Sequence, residues 1–95
     1  MTSINNITLK ELSGVWFSTD NDQSMWISND GLEIVIKKGI DVIVREHTKF
    51  IYYSETNDCK LSDSVRLSQL FDDDSILIHV VSTEGNYKLI LKKRK

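Results

Sequence analysis

The stretch Ser24–Glu46, SMWISNDGLEIVIKKGIDVIVRE, decides the fold. In it Met25 and Ile27, then Ile34 and Ile36, then Ile40, Val42 and Val44 recur at every second position. A period of two sends alternate side chains to opposite faces, so each run reads as a strand with one apolar face. Asn29-Asp30-Gly31 and Lys38-Gly39 interrupt the runs with residues that tolerate positive φ, as tight hairpin turns require. Links this short join antiparallel neighbours, because a parallel crossover needs roughly a dozen residues or more.

The same rhythm extends in both directions. Spacing predicts strands over 12–18, 24–28, 32–37, 40–46, 49–54, 64–71, 76–82 and 87–93. Glu84-Gly85-Asn86 marks another hairpin turn, Asp72-Asp73-Asp74-Ser75 a polar break, and Glu55 to Asp63 the longest loop. Ahead of them, Thr8-Leu9-Lys10-Glu11 has capping-box spacing and supports a turn or so of helix before Gly14. The expected architecture is all-β: a small up-and-down antiparallel meander of seven or eight strands, closed or nearly closed into a barrel, with a short N-terminal helical turn. Ninety-five residues make one domain, 1–95.

The inward phase takes in Trp16, Met25, Ile27, Ile34, Ile36 and Val44, together with Leu32, Ile40, Val42 and Tyr52. So many bulky side chains fill a barrel of this size and leave little open cup. Out of phase stand Trp26, Val35, Ile43, Ile51, Tyr53, Leu77, Val81 and Ile90. Contiguous apolar residues on an outer face mark an interface. Ile43, Ile51, Tyr53, Leu77 and Val81 are expected to form such a strip, facing a second copy of the chain or covered by the N-terminal segment. Trp26, Ile51, Tyr53 and Ile43 are the expected partner contacts, because rigid aromatic side chains dominate interface energetics.

Leu12-Ser13-Gly14-Val15-Trp16, following the capped turn, resembles the opening element of the lipocalins and the wider calycin group. The resemblance implies a lipocalin-like β domain in which Trp16 closes one barrel end beside a basic residue from the end of the last strand. Within Lys92-Lys93-Arg94-Lys95 that residue is expected to be Arg94. A guanidinium on an indole face is worth roughly 0.5–2 kcal/mol. Members of the group are longer, with an open ligand cup and a C-terminal helix, so the short chain points to a filled barrel.

Charge and chemistry exclude more than they select. Fourteen acids against twelve bases, with net charge −2, give no global pull towards nucleic acid or anionic membrane. Without an RNA-binding signature, nucleic acid is not an expected partner, and the basic tail reads as a guarded strand edge. No apolar run approaches the roughly 20 residues of a membrane span, so no membrane insertion is expected. The single Cys59 rules out an internal disulfide, and Met1–Asn6 lacks the features of a signal peptide. A cytoplasmic setting is expected, an exported form with its signal removed being the alternative.

No catalytic residue, cofactor or metal site is expected. His47 and His79 lack companions at ligand spacing, and Cys59 lacks an activating base. Asp20-Asn21-Asp22-Gln23-Ser24 begins like a calcium loop, but Met25 stands at the glycine position and Gly31 where the closing acid belongs. The expected function is non-catalytic: a small protein-interaction module of inhibitor, immunity or assembly type. Its partner would be another protein, such as a protease or toxin, or a second copy. Small all-β barrels of this length occur as bacterial protease inhibitors. A small apolar ligand held at the barrel mouth is the alternative.

Overall fold

The computed structural model describes residues 3–83 and 85–94. A 3-10 turn at Ile4–Asn6 and a short helix α1 (Leu9–Leu12) precede nine strands. These are β1 (Gly14–Ser18), β2 (Gln23–Ile27), β3 (Glu33–Lys38), β4 (Asp41–His47), β5 (Ile51–Tyr53), β6 (Asp58–Ser62), β7 (Val65–Leu70), β8 (Ile76–Ser82) and β9 (Gly85–Lys93). All pair antiparallel in one sheet of order β4-β3-β2-β1-β9-β8-β7-β6-β5.

The order explains the curl. β4 and β5 stand at opposite ends of the sheet, yet only 48–50 link them. A link that short reaches about 14 Å at full stretch. A flat nine-stranded sheet would hold its edges about 38 Å apart, at roughly 4.8 Å per strand. The sheet therefore rolls into a half-barrel that brings its edges together. Polar contacts lace this seam: Lys49 N–H donates to Leu61 O at 2.8 Å. The Glu46 carboxylate accepts from Ser64 N–H at 3.0 Å and Ser64 Oγ at 2.6 Å. Lys49 and Asp63 pair at 2.7 Å, and each charge stabilises the other, lowering the Asp63 carboxyl and raising the Lys49 ammonium from their ordinary values.

The interior is filled. Met25, Ile27, Ile34, Ile36, Leu67, Ile78 and Leu91 are wholly buried along the inward phase, and Leu12 of α1 is buried with them. Thr8 caps α1, accepting the Glu11 N–H at 3.2 Å. Gly14 then turns the chain into β1 at φ +111, and a Cβ there would lie 3.2 Å from Lys93 Cε. The positive φ favours glycine at this entry, whereas the Lys93 side chain could shift to admit a Cβ.

Nine strands replace the expected seven or eight because β6 lies inside the expected loop Glu55 to Asp63. Its signal was short: Cys59 and Leu61 point inward while Asp58 and Lys60 do not. The expected inward phase also fails in places, for an identifiable reason. Ile36 pairs with Val44 but Lys37 pairs with Val42, so Ile43 is the extra residue of a β-bulge. Past the bulge the phase reverses. Val42 is turned out, Ile40 stands almost bare in the turn, and Ile43 packs against the core rather than facing a partner. Leu32 is exposed beside the Gly31 turn, and Tyr52 on short β5 is half-exposed with its hydroxyl donating to Asn57 Oδ1 at 2.9 Å. Of the expected turn Glu84-Gly85-Asn86, Glu84 lies outside the described residues, as does Lys95 of the basic tail.

Candidate functional site

The outer face of β1–β4 carries the exposed aromatic residues Phe17 and Trp26. Register aligns Val15, Trp26, Val35 and Arg45 in one row across the four strands. The adjoining row on the same face runs Phe17, Ser24, Lys37, Val42. Trp26 is 40% exposed and Phe17 44%, whereas Val35, between Trp26 and Arg45 in the row, is only 4% exposed. A shallow groove of about 370 Å³ lies here, lined by Val15, Ser24, Trp26, Val35, Lys37 and Arg45.

Cations ring this apolar floor. Lys37 and Arg45 flank the groove, and Lys92 of β9 pairs in register with Phe17. The Arg94 guanidinium stands 5.9 Å from the Phe17 ring centre. Glu33 opposes Arg45, 3.9 Å from its Nε, while the Lys92 ammonium is paired with Asp73. An exposed pair of this kind is worth little. The surface therefore combines an apolar centre with a positive rim.

Of the expected contacts, Trp26 alone lies on this surface. Ile51 and Tyr53 are on β5 at the far end of the sheet, where Ile51 is exposed and Tyr53 half-buried. Arg66 stands 5.2 Å from the Tyr53 ring centre and pairs with Asp58 at 3.3 Å. Ile43 is drawn inward by the bulge. The anticipated strip through Ile43, Ile51, Tyr53, Leu77 and Val81 is thus not continuous, since Lys60, Arg66 and His79 cross the sheet between Ile51 and the β8 residues. Val15, Phe17 and Val42 were not anticipated as members of the Trp26 surface. The alternation of Val15 and Phe17 about inward Trp16 carried the signal for two of them.

Trp16 lies on the inner face of the sheet, next to α1. It is buried, and its indole N–H donates to Leu12 O at 2.8 Å. The cation over its ring is Lys93, at 5.7 Å, rather than the expected Arg94. Parity decides this: Trp16 pairs with Lys93 in register, so the next residue projects to the opposite face and reaches Phe17. Lys93 Nζ also donates to Glu11 O at 2.8 Å. Beside it lies an open groove of about 620 Å³ whose lining includes Ile7, Trp16, Leu70, Ile76, Asp73 and Lys92. Lys92 and Asp73 pair across it at 3.5 Å. The Asp73 carboxyl is held below its ordinary value, chiefly by the Ser75 hydroxyl and N–H.

Cys59 is wholly buried, and burial pushes its thiol up to about 11, so it stays protonated and unreactive near neutrality. His47 and His79 sit on β4 and β8, flanked in register by Glu33 and by Arg66 and Lys88. Among the described residues no three His, Cys, Asp or Glu side chains gather as a metal site, and no helix is long and apolar enough to cross a membrane. Comparison with protein-family models finds no match, and comparisons with curated proteins and with solved structures find none either.

Proposed function

We propose that this chain is a small non-catalytic protein-interaction module, of inhibitor, immunity or assembly type, that docks through the outer face of β1–β4 with Trp26 as its anchor. The observation that carries this reading is the half-exposed Trp26 above the aliphatic floor of Val15 and Val35. Rigid aromatics beside an apolar pocket are the usual hot spots of protein interfaces. The positive rim of Lys37, Arg45 and Arg94 favours a partner with acidic residues around an apolar side chain. It disfavours a second copy, which would bring like charges together. The barrel-like curl and Trp16 beneath a cation support the lipocalin-like reading of the fold, while the filled interior weighs against an internal ligand cup. A small apolar ligand is left the open groove beside Trp16 as its place.

The test is capture followed by titration. A partner enriched by the immobilised chain should bind Trp26→Ala at least about 30-fold more weakly, the loss expected of a hot spot of 2 kcal/mol or more. Ile51→Ala should change affinity less than about 3-fold, and the melting temperature of Trp26→Ala should stay near the parent's. Equal capture by Trp26→Ala would remove the basis of this assignment.

A further inference from the structure

A second surface has a different character. Register sets Lys60 opposite Arg66, Arg66 opposite His79, and His79 opposite Lys88. Four basic side chains thus stand in one row across the outer faces of β6, β7, β8 and β9. Like charges directly opposite one another destabilise a sheet. Asp58 relieves Arg66 at 3.3 Å, but Lys60 and Lys88 form no ion pair among the described residues. Lys60 also lies in the field of Asp63, so the surplus positive charge is greatest towards Lys88, and an anionic ligand laid along the row would offset it.

We infer that this row binds the phosphate backbone of single-stranded nucleic acid, on a face separate from the Trp26 surface. Strands about 4.8 Å apart carry the four side chains over about 14 Å in even steps. Phosphates along one strand repeat at about 3.4 Å when stacked, and the flexible strand can lengthen to match. Even spacing suits a linear polyanion. An acidic protein surface would need a buried apolar anchor, and the row has none between Lys60 and Lys88. Tyr53, beside Arg66 at the β5 end, is the aromatic ring against which a base can stack. The net charge of −2 masks this face, where Asp58 and Asp63 offset only part of the positive charge and most other acids lie in turns and bends. Asp20, Asp22, Asp30, Asp63 and Asp72 to Asp74 lie in turns and bends rather than on strands.

The experiment is a fluorescence-anisotropy titration of the full chain into a labelled thymidylate oligonucleotide. Three permanent cations should give a log–log salt slope of about −2, so affinity should fall about 20-fold between 50 and 200 mM salt. The double variant Lys60→Glu, Lys88→Glu should lose binding while its melting temperature rises, because the like-charge row is broken. A residue serving only the fold would move stability the other way. Trp26→Ala should bind the oligonucleotide normally, which keeps this result separable from the docking reading. Absence of binding at 50 mM salt, or unchanged binding by the double variant, would overturn the inference. So would tighter binding of polyglutamate, of a DNA duplex or of phosphatidylserine vesicles than of the single strand.

Discussion

The outer faces of the two sheet halves differ although the inner faces match. Both halves turn Ile, Leu, Val and Met inward on alternate residues and bury them completely. On the outside, β1–β4 present Val15, Phe17, Trp26, Val35 and Val42 with cations at the margin. β6–β9 present Lys60, Arg66, His79 and Lys88 in a row. The shared inner face serves folding, so its pattern is constrained and repeated. Outer positions are free of that demand, and what they hold reflects what the surface meets. One half gathers its exposed apolar side chains around Trp26, while the other sets Val81 and Ile90 beside a row of charge that Asp58 offsets only at Arg66.

The largest expected effect tests the sameness of the inner faces. Ile34→Ala in β3 and Ile78→Ala in β8 should each cost about 2–5 kcal/mol in denaturant unfolding, as wholly buried aliphatic side chains do. A near-neutral result in either strand would show that the two halves are not packed alike. Next comes the inner face beneath the basic row, where Cys59 neighbours Lys60. Its folded value is raised from 9.0 to about 11, so the stability it contributes is intact below 9 and is lost as pH rises towards 11. The loss should reach at most about 3 kcal/mol by linkage. Cys59→Val should flatten this alkaline limb in pH-dependent unfolding; an identical limb in the variant would mean that the interior there is wet.

The smallest effect lies at the seam that joins the halves. Asp63 is held below its ordinary 3.8 by Lys49, so the pair stabilises the fold above that pH. The contribution fades as pH falls through the lower folded value. Asp63→Asn should blunt the acid limb of the melting-temperature profile slightly and leave values near pH 7 little changed. A large loss at neutral pH would instead make the pair a structural clamp of the half-barrel.

Much of this molecule was legible in residue order. Gly31 and Gly39 punctuate the meander as their positive φ demands, and the alternation named Met25, Ile27, Ile34 and Ile36 as buried correctly, though not Leu32 beside the turn. Legibility broke where pairing departs from a period of two. The bulge at Ile43 reversed the phase of Val42 because one strand gained a residue that its partner lacks, and a single chain carries no mark of that mismatch. β6 escaped because five residues, two of them inward, make a weak pattern beside a polar turn. Surface assembly was the least legible part. Trp26 stood out by itself, but its company depends on the order β4-β3-β2-β1-β9, which brings Lys92 and Arg94 beside Phe17 from the other end of the chain. The basic row needs register across four strands, which hairpin spacing cannot supply.

The pairing of β1 with β9 sets the kinetics of folding. Every other pairing joins consecutive strands, and each such hairpin can form early and alone. β1 and β9 meet only after nearly the whole chain is gathered, so loop-closure entropy is concentrated in this one contact. Until then β1 and β9 each carry an unpaired edge, with Trp16 and Leu91 uncovered, and the two arms are sticky to other chains. The local hairpins lower the mean sequence separation of contacts, so the β1–β9 closure is the one strand pairing that carries a long-range entropic cost. Its risk of misassembly lies in the interval before the arms meet.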